Sequence, residues 1–283
     1  MSNEAPTALI LGGTGRTGSL LAGKLARRGV ATRTAARRGA DVRFGWDDPA
    51  THADALAGVD RLYVVTPVLR VRYADLVAGF LDLAESAGVR HVTFLSTYNA
   101  DRAPHGIDIA AVEADLSARQ AVTHSVLRPA WVMQNFTDDH LPVIDGVITA
   151  PSGGGTEAFV DADDIAAVAA ETLLHPGAHA GAQYTLTGPQ ALSFSEVADI
   201  IASVSRRPVS YNDIDQEAWI SGALAAGVPA DYAVMLRWLT GAIIAGDGSV
   251  PAGDVETVTG RPPASLEAFA RRNAAAWTTP EGK

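Results

Sequence analysis

The chain has no cysteine, so disulfides, thiolate nucleophiles and cysteine-ligated metals are excluded, and thiol usage says nothing about redox compartment. It is also short of positive charge: 22 Lys and Arg face 32 Asp and Glu, a formal charge of −10. Such a chain lacks the basic field that neutralises successive phosphates, and its arginines at 27, 28, 33, 37 and 38 form only one local cluster. Nucleic-acid binding is therefore not expected. No apolar run is long enough to span a bilayer, and no low-complexity tract or internal repeat is visible. The opening Met1-Ser-Asn-Glu-Ala-Pro-Thr7 lacks the charged and apolar regions of a signal peptide, so the expectation is a cytoplasmic protein without a membrane partner.

What is present points to a globular chain: 47% hydrophobic and 19% charged residues, with Gly and Pro spread along the length. A length of 283 residues accommodates one large α/β unit plus a smaller lobe. Ala8–Leu11 is a short apolar run ending in glycines, and Leu20, Leu21 and Leu25 then recur at helical spacing. Further strands are predicted at Ala31–Ala36, Arg61–Thr66, His91–Ser96 and Val122–Leu127, with helices at Tyr73–Ala87 and Ile109–Arg119 between them. This alternation predicts βαβ units, a doubly wound parallel sheet and a Rossmann-type α/β fold.

After Pro129 the alternation becomes less regular, and the Pro151-Ser-Gly-Gly-Gly155 turn follows. The predicted dinucleotide-binding domain spans 1–141 and about 159–188, and a smaller C-terminal substrate lobe spans about 142–158 and 189–283. Asp163–Leu174 reads as a helix, with Asp161, Asp163 and Asp164 as caps and dipole partners at its start, and Gln183–Thr187 as a strand. Ser195–Ser205 reads as a helix capped by Ser195, and Ser265–Trp277 as one final helix. From Val209 a strand-like piece and two helical stretches are expected.

The chemistry begins at Gly13-Thr-Gly-Arg-Thr-Gly18, which fits G-x-G-x-x-G directly after a buried strand and at the start of a helix. Gly12, Gly13, Thr14, Gly15, Arg16, Thr17 and Gly18 are therefore candidates to hold a pyrophosphate at a helix N-terminus. Thr34-Ala-Ala-Arg-Arg38, at the end of the second strand, carries no acid to hold a ribose 2′-hydroxyl. Arg37 and Arg38 suit a 2′-phosphate instead, since guanidinium forms charge-assisted forked bonds, and Arg16 can join them; the alternative is a solvated basic turn. Asp47 and Asp48 read equally as an adenine-side or capping feature and as a solvated turn.

Several stretches then carry a resemblance: the glycine turn, Val42–Pro49, Val64-Val-Thr-Pro67, Leu127–Phe136, Phe159–Ile165, Tyr184–Pro189 and Thr259–Pro263. Together they resemble the NmrA-like branch of the atypical short-chain dehydrogenases/reductases over nearly the whole chain. The resemblance implies NADP(H) along the carboxyl edge of the sheet, with Thr66, Pro67, Ser96 and Pro129 lining the path to the nicotinamide, and a C-terminal lobe over a substrate pocket. It implies Trp131, Asn135 and Phe136 as substrate-binding residues, Asn135 facing a carbonyl or imine nitrogen. The group includes quinone, azo-dye, triphenylmethane and ergot-alkaloid imine reductases, and also silent NADP(H)-sensing regulators.

The Tyr-x-x-x-Lys pair of ordinary short-chain reductases is absent, because Tyr98 is followed by Arg102 at that spacing. Active relatives often carry His or Lys four residues before the glutamate that matches Glu113, and Ile109 stands there. Tyr98, Ser96 and the loop residue His105 remain as catalytic candidates. An already cationic or polarised acceptor needs no acid, since orientation in a dry pocket suffices. His140 beside Asp138 and Asp139 lacks metal-ligand spacing, and no metal is expected. Met235 reads as lobe packing, whereas Trp219 and Trp238 read equally as packing or pocket lining.

The expectation is an NADPH-dependent reductase of a small hydrophobic, aromatic or conjugated acceptor, acting on C=O, C=N or C=C, with secondary metabolism as one setting and a monomer or homodimer as its form. The alternatives are a silent NADP(H) sensor and a cofactor-assisted isomerase or cyclase.

Overall fold

The computed structural model describes residues 7–138 and 140–278; the N-terminal Met1–Pro6 peptide and Asp139 lie outside the described residues. Its strands are β1 (Thr7–Leu11), β2 (Ala31–Ala36), β3 (Val42–Arg43), β4 (Arg61–Val65), β5 (His91–Leu95), β6 (Thr123–Pro129), β7 (Val143–Ile144), β8 (Val147–Ala150), β9 (Thr156–Glu157), β10 (Ala182–Leu186), β11 (Leu192–Ser193) and β12 (Ser210–Asp213). The helices that matter below are α1 (Arg16–Arg27), α2 (His52–Leu56), α3 (Ala74–Ser86), α4 (Ile109–Ala118) and α5 (Ala162–Leu174). They continue with α6 (Pro176–His179), α7 (Phe194–Ser205), α8 (Gln216–Ala225), α9 (Ala233–Ala245), α10 (Asp254–Thr259), α11 (Leu266–Arg272) and α12 (Ala275–Thr278).

Seven strands form one sheet in the order β10-β6-β5-β4-β1-β2-β3. The ladders from β3 to β6 are parallel, Ile10 standing opposite Thr34 on one side and Tyr63 on the other. The β6–β10 edge is parallel too: Gly181 N–H bonds the His124 carbonyl and Ala130 N–H bonds that of Leu186, so both strands advance together. β1 is buried from Ala8 to Leu11 because helices cover both faces of the sheet, which is why it reads as an unbroken apolar run rather than an alternating one. Helix α5 lies against α1. Its Ala162, Ala166, Ala169 and Ala170 are buried, and side chains this small allow close helix approach. Lys24–Asp163 (2.8 Å) and Arg28–Glu171 (2.5 Å) tie the rims of that contact.

The chain divides into two units, one running to Arg128 with Ala162–Thr185, the other Pro129–Asp161 with everything from Leu186. The second unit begins at Pro129 rather than near 142, because Met133 and Phe136 pack into its aromatic core with Phe159 and Phe194. Its small sheets are β12-β8-β7 and β11-β9.

Two helix ends differ from expectation. The cap of α7 is Ser193, not Ser195: Ser193 and Glu196 bond each other's backbone N–H in a capping box, which requires a three-residue spacing. The final helix is two: α11 ends at the C-cap Asn273, which leaves helical geometry (φ −111°, ψ 15°) and shares its N–H between the Phe269 and Ala270 carbonyls, and α12 follows from Ala275. Helix α10 was not anticipated at all. Among the described residues no helix is long and apolar enough to cross a membrane.

Candidate functional site

Ligands of open α/β sheets lie beyond the carboxyl ends of the strands, where strand order reverses. Here the reversal falls between β1 and β4. The loops after β1, β2, β4 and β5 therefore bound the candidate site, and all four belong to the first unit.

The β1–α1 turn is built by glycine. Gly12 has φ +65°, a left-handed conformation that glycine adopts without strain, and the Gly15 N–H closes the turn on the Gly12 carbonyl at 2.8 Å. A Cβ on Gly13 would lie 2.5 Å from that of Thr34, and one on Gly18 2.3 Å from the Gly12 carbonyl oxygen. Both glycines thus let the start of α1 sit directly on β1 and β2. Thr14 and Gly15 are exposed, whereas Arg16 and Thr17 are half-buried. Helix α1 has neither a side-chain cap nor an acidic residue of its own in its first turn, so its own sequence supplies no carboxylate to offset the positive end of its dipole. Thr17 is also tied to β4: its Oγ1 accepts the phenol of fully buried Tyr63 at 3.0 Å.

Arg37 and Arg38 are exposed on the bend after β2, with no hydrogen bond or ion pair among the described residues. That bend lies beside the glycine turn, since a Cβ on Gly39 would be 3.8 Å from Thr14 Cγ2. What closes it is an acid the strand-end reading overlooked. Asp41 turns back to accept the backbone N–H and the hydroxyl of Thr34, both at 2.8 Å, and the backbone bond foremost holds its carboxyl below the usual carboxylate range. Asp47 and Asp48 belong to ion pairs, the first with Arg70 (2.9 Å) and the second with Arg43 (2.9 Å).

At the end of β4, Thr66 is half-buried and Pro67 buried. At the end of β5, Ser96 is 7% exposed and its hydroxyl donates to Glu113 of α4 at 2.5 Å. Glu113 is in turn gripped by both arms of Arg128 from β6, Nε at 3.0 Å and Nη2 closer, while Arg128 also reaches Asp101 at 3.1 Å. The Glu113 bonds are the main reason the Arg128 guanidinium is held above its ordinary pKa. The chemical consequence is that the Ser96 proton is already committed to a carboxylate, so the oxygen is left to accept and not to donate. Arg128 was not singled out from the sequence, though a lone charge inside the apolar run Ser125–Met133 is the signature of a buried ion pair.

Tyr98 is half-buried where the chain reverses at Asn99, φ +56°. His105 is exposed, with no hydrogen bond among the described residues. Ile109, which stands where active relatives often carry His or Lys, is buried at the first position of α4.

The other candidates lie in the second unit. Pro129 ends β6 and is half-buried. Phe136, expected as a substrate-binding side chain, is 1% exposed and stacks edge-on to Phe159 (5.2 Å) and Phe194 (6.0 Å) in the core of this unit. Trp131 and Trp219 are partly buried against that core, Met235 is buried, and Asn135 is 8% exposed. His140 is exposed beside Asp138 (3.0 Å), and the described residues contain no group of three or more ligand-type side chains placed to hold a metal ion.

One group here was wholly missed. Glu157 is 2% exposed and rests against Gly248, where any Cβ would fall 2.0 Å from its Oε2. Burial, reinforced by the Asp247 charge and opposed by the Trp131 N–H, pushes its carboxyl up to about 7. An acid whose folded pKa exceeds its unfolded value contributes fully below the unfolded pKa and loses that contribution as pH rises through the folded one. Stability of the second unit should therefore fall between about pH 4.5 and 7, by on the order of 3 kcal/mol. Glu157→Gln should flatten that slope in urea melts at pH 5, 6, 7 and 8; an unchanged slope means the side chain is not protonated in the folded protein.

The sequence profile of the NmrA-like family matches residues 4–238. An uncharacterized oxidoreductase, YesF, of Bacillus subtilis is 36% identical over 280 residues, covering 96% of each chain. The NAD(P)H azoreductase of Xenophilus azovorans is 32% identical over 284 residues, covering 95% of this chain and 98% of that one. Among solved structures, the triphenylmethane reductase of Citrobacter sp., complexed with NADP(H), superposes with a TM-score of 0.72 over 95% of this chain and 99% of its own. At 23% identity it speaks for the shared fold.

Proposed function

The chain belongs to the NmrA-like family, and on that premise we propose that it is an NADPH-dependent reductase of a hydrophobic, aromatic or conjugated acceptor. The observation that carries the cofactor half is the pair Arg37 and Arg38, exposed and unpaired among the described residues beside a glycine turn that opens a helix with no acidic residue in its first turn. The names of the azoreductase and oxidoreductase relatives support the redox half.

In this reading Gly12–Gly18 and the first amides of α1 receive the pyrophosphate, and Arg37 and Arg38 grip the 2′-phosphate. When bound, NADPH supplies a hydride to a C=O, C=N or C=C carbon. Thr66 and Pro67 line the way to the reacting end. Ser96, its proton held by Glu113, offers an oxygen that orients an N–H donor, and Tyr98 is left as the proton donor. For a cationic acceptor no proton is required.

The test is calorimetry with NADPH and NADH, followed by absorbance at the reduced-nicotinamide band with quinones, imines and azo compounds. Tight NADPH binding with consumption supports the reductase. Binding without turnover favours a cofactor sensor, the reading to which the buried Ile109 at the head of α4 lends weight. Replacing Arg37 and Arg38 together by alanine should weaken NADPH roughly 10- to 100-fold, since each charge-assisted bond contributes about 1.5–3 kcal/mol before solvent exposure discounts it. NADH binding should change less than threefold. Equal losses for both cofactors would remove the arginines from the 2′-phosphate.

A further inference from the structure

The segment between β4 and α3 is anchored along its length yet exposes apolar side chains at its tip. Pro67 is buried at its start, and Val71 (3% exposed) and Tyr73 (4%) are buried at its end. Arg70 forms a two-pronged ion pair with Asp47, at 2.9 and 3.0 Å. The Val71 carbonyl accepts the Asp108 N–H at 2.9 Å, and the Asp108 carboxylate accepts the backbone N–H groups of Tyr73 (2.6 Å) and Ala74 (2.9 Å). Asp108 thereby caps α3, a service that Tyr73 at its own N-cap position does not perform.

Between these anchors Val68 is 80% exposed and Leu69 44% exposed, and Leu69 holds φ +55°. Leucine in the left-handed region is strained by its Cβ, where Gly or Asn would not be, and here no full burial offsets the strain. Turn chemistry and core packing therefore both fail to explain the residue. Strain that is held in place by surrounding anchors is the pattern found at ligand contacts. The tip directly follows Thr66 and Pro67 on one of the two strands that flank the reversal of strand order. The phosphate-binding chemistry lies on the β1 and β2 side, in the glycine turn and the arginine bend, so the apolar tip matches the apolar reactant.

We propose that Val68 and Leu69 form a preformed apolar contact for the flat hydrophobic acceptor and set the size of acceptor this protein prefers. A rigid tip gains more from such a contact than a mobile one, because little conformational freedom is lost on binding. The inference rests on the reductase reading but names residues that reading does not.

The experiment uses the full chain with NADP⁺ present and two probes, 9,10-phenanthrenequinone and 1,4-benzoquinone. Binding of each is measured by calorimetry, and turnover of each by NADPH consumption. Leu69→Gly relieves the strain while removing the side chain, so its urea midpoint should equal or exceed that of the parent protein. Its Kd and KM for phenanthrenequinone should rise about tenfold, in line with the loss of one partly buried leucine contact. Its kcat, its NADPH affinity and its benzoquinone constants should stay within about twofold. Val68→Ser, at a position too exposed to affect folding, should raise the phenanthrenequinone Kd in the same direction.

Unchanged phenanthrenequinone binding in both variants overturns the proposal, as does a parent protein that binds neither quinone. Binding that weakens in the variants, from a parent protein that never consumes NADPH, keeps the contact and sinks the reductase reading instead. Dimers that dissociate in Leu69→Gly, with acceptor binding unaltered, would assign the tip to a second copy of the chain and also overturn the proposal.

Discussion

Gly18→Ala is expected to lower NADPH affinity by more than about 100-fold, a loss near 2.7 kcal/mol, while far-UV circular dichroism stays that of the parent protein. The added methyl would stand 2.3 Å from the Gly12 carbonyl oxygen, 2.8 Å from its carbon and 3.0 Å from Gly13 Cα. All three neighbours are backbone, so none can rotate away. Alanine improves helix propensity by about 1 kcal/mol, but overpacking costs about 1–3 kcal/mol and lifts the first turn of α1 off β1. The amides that would face the pyrophosphate move with it. Gly23→Ala in the same helix is the control: its nearest neighbour is the flexible Arg27 guanidinium at 3.4 Å, so stability should rise slightly and NADPH binding should hold. Calorimetry on both variants decides the matter. If Gly18→Ala binds NADPH within threefold of the parent protein, the glycine turn is not the phosphate cradle.

Glu113→Ala should be the most destabilising single change among the polar residues of the site. It strips the carboxylate from Arg128, a guanidinium only 18% exposed, and from the Ser96 hydroxyl. Breaking one side of a buried pair costs about 3–5 kcal/mol because the other charge is left without its counter-charge. The lower end applies, since Arg128 keeps some water and the bond to Asp101. Urea unfolding gives the number. Glu113→Met with Arg128→Met should recover most of it, because two apolar side chains of similar volume need no partner. A single-variant loss below about 1 kcal/mol would mean that the pair is solvated. Freeing the Ser96 hydroxyl also lets it donate, so the pH profile of kcat is expected to shift while KM for NADPH stays put.

These two sites differ in how far they could be read without coordinates. The strand, the glycine turn and the helix follow one another within Thr7–Arg27, and each is a local pattern: an apolar run, a required left-handed residue, helical spacing of leucines. The ends of β4 and β5 were equally legible, because strands buried on both faces read as mostly apolar runs, here Leu62–Val65 and Val92–Leu95. The cap of α7 was legible too and was misplaced by two residues, since the capping box demands Ser193 and Glu196 at a spacing of three. Asp41 on Thr34, Asp108 on the start of α3 and Arg128 on Glu113 were not legible, because each joins residues from different elements and no spacing rule links them.

Local pattern along the chain was enough for the α/β class, the parallel sheet, the glycine turn and the two arginines after β2, all features set by interactions within a few residues or by the burial a strand must undergo. It took the closed fold to show that Ser96 gives its proton to Glu113, that Phe136 is core, that Glu157 is a buried acid and that Leu69 is strained at an exposed tip. One cause is common to all four. Protonation, hydrogen-bond direction and exposure depend on which distant groups a side chain meets once the chain has closed, and that is a property of the fold rather than of any stretch of it.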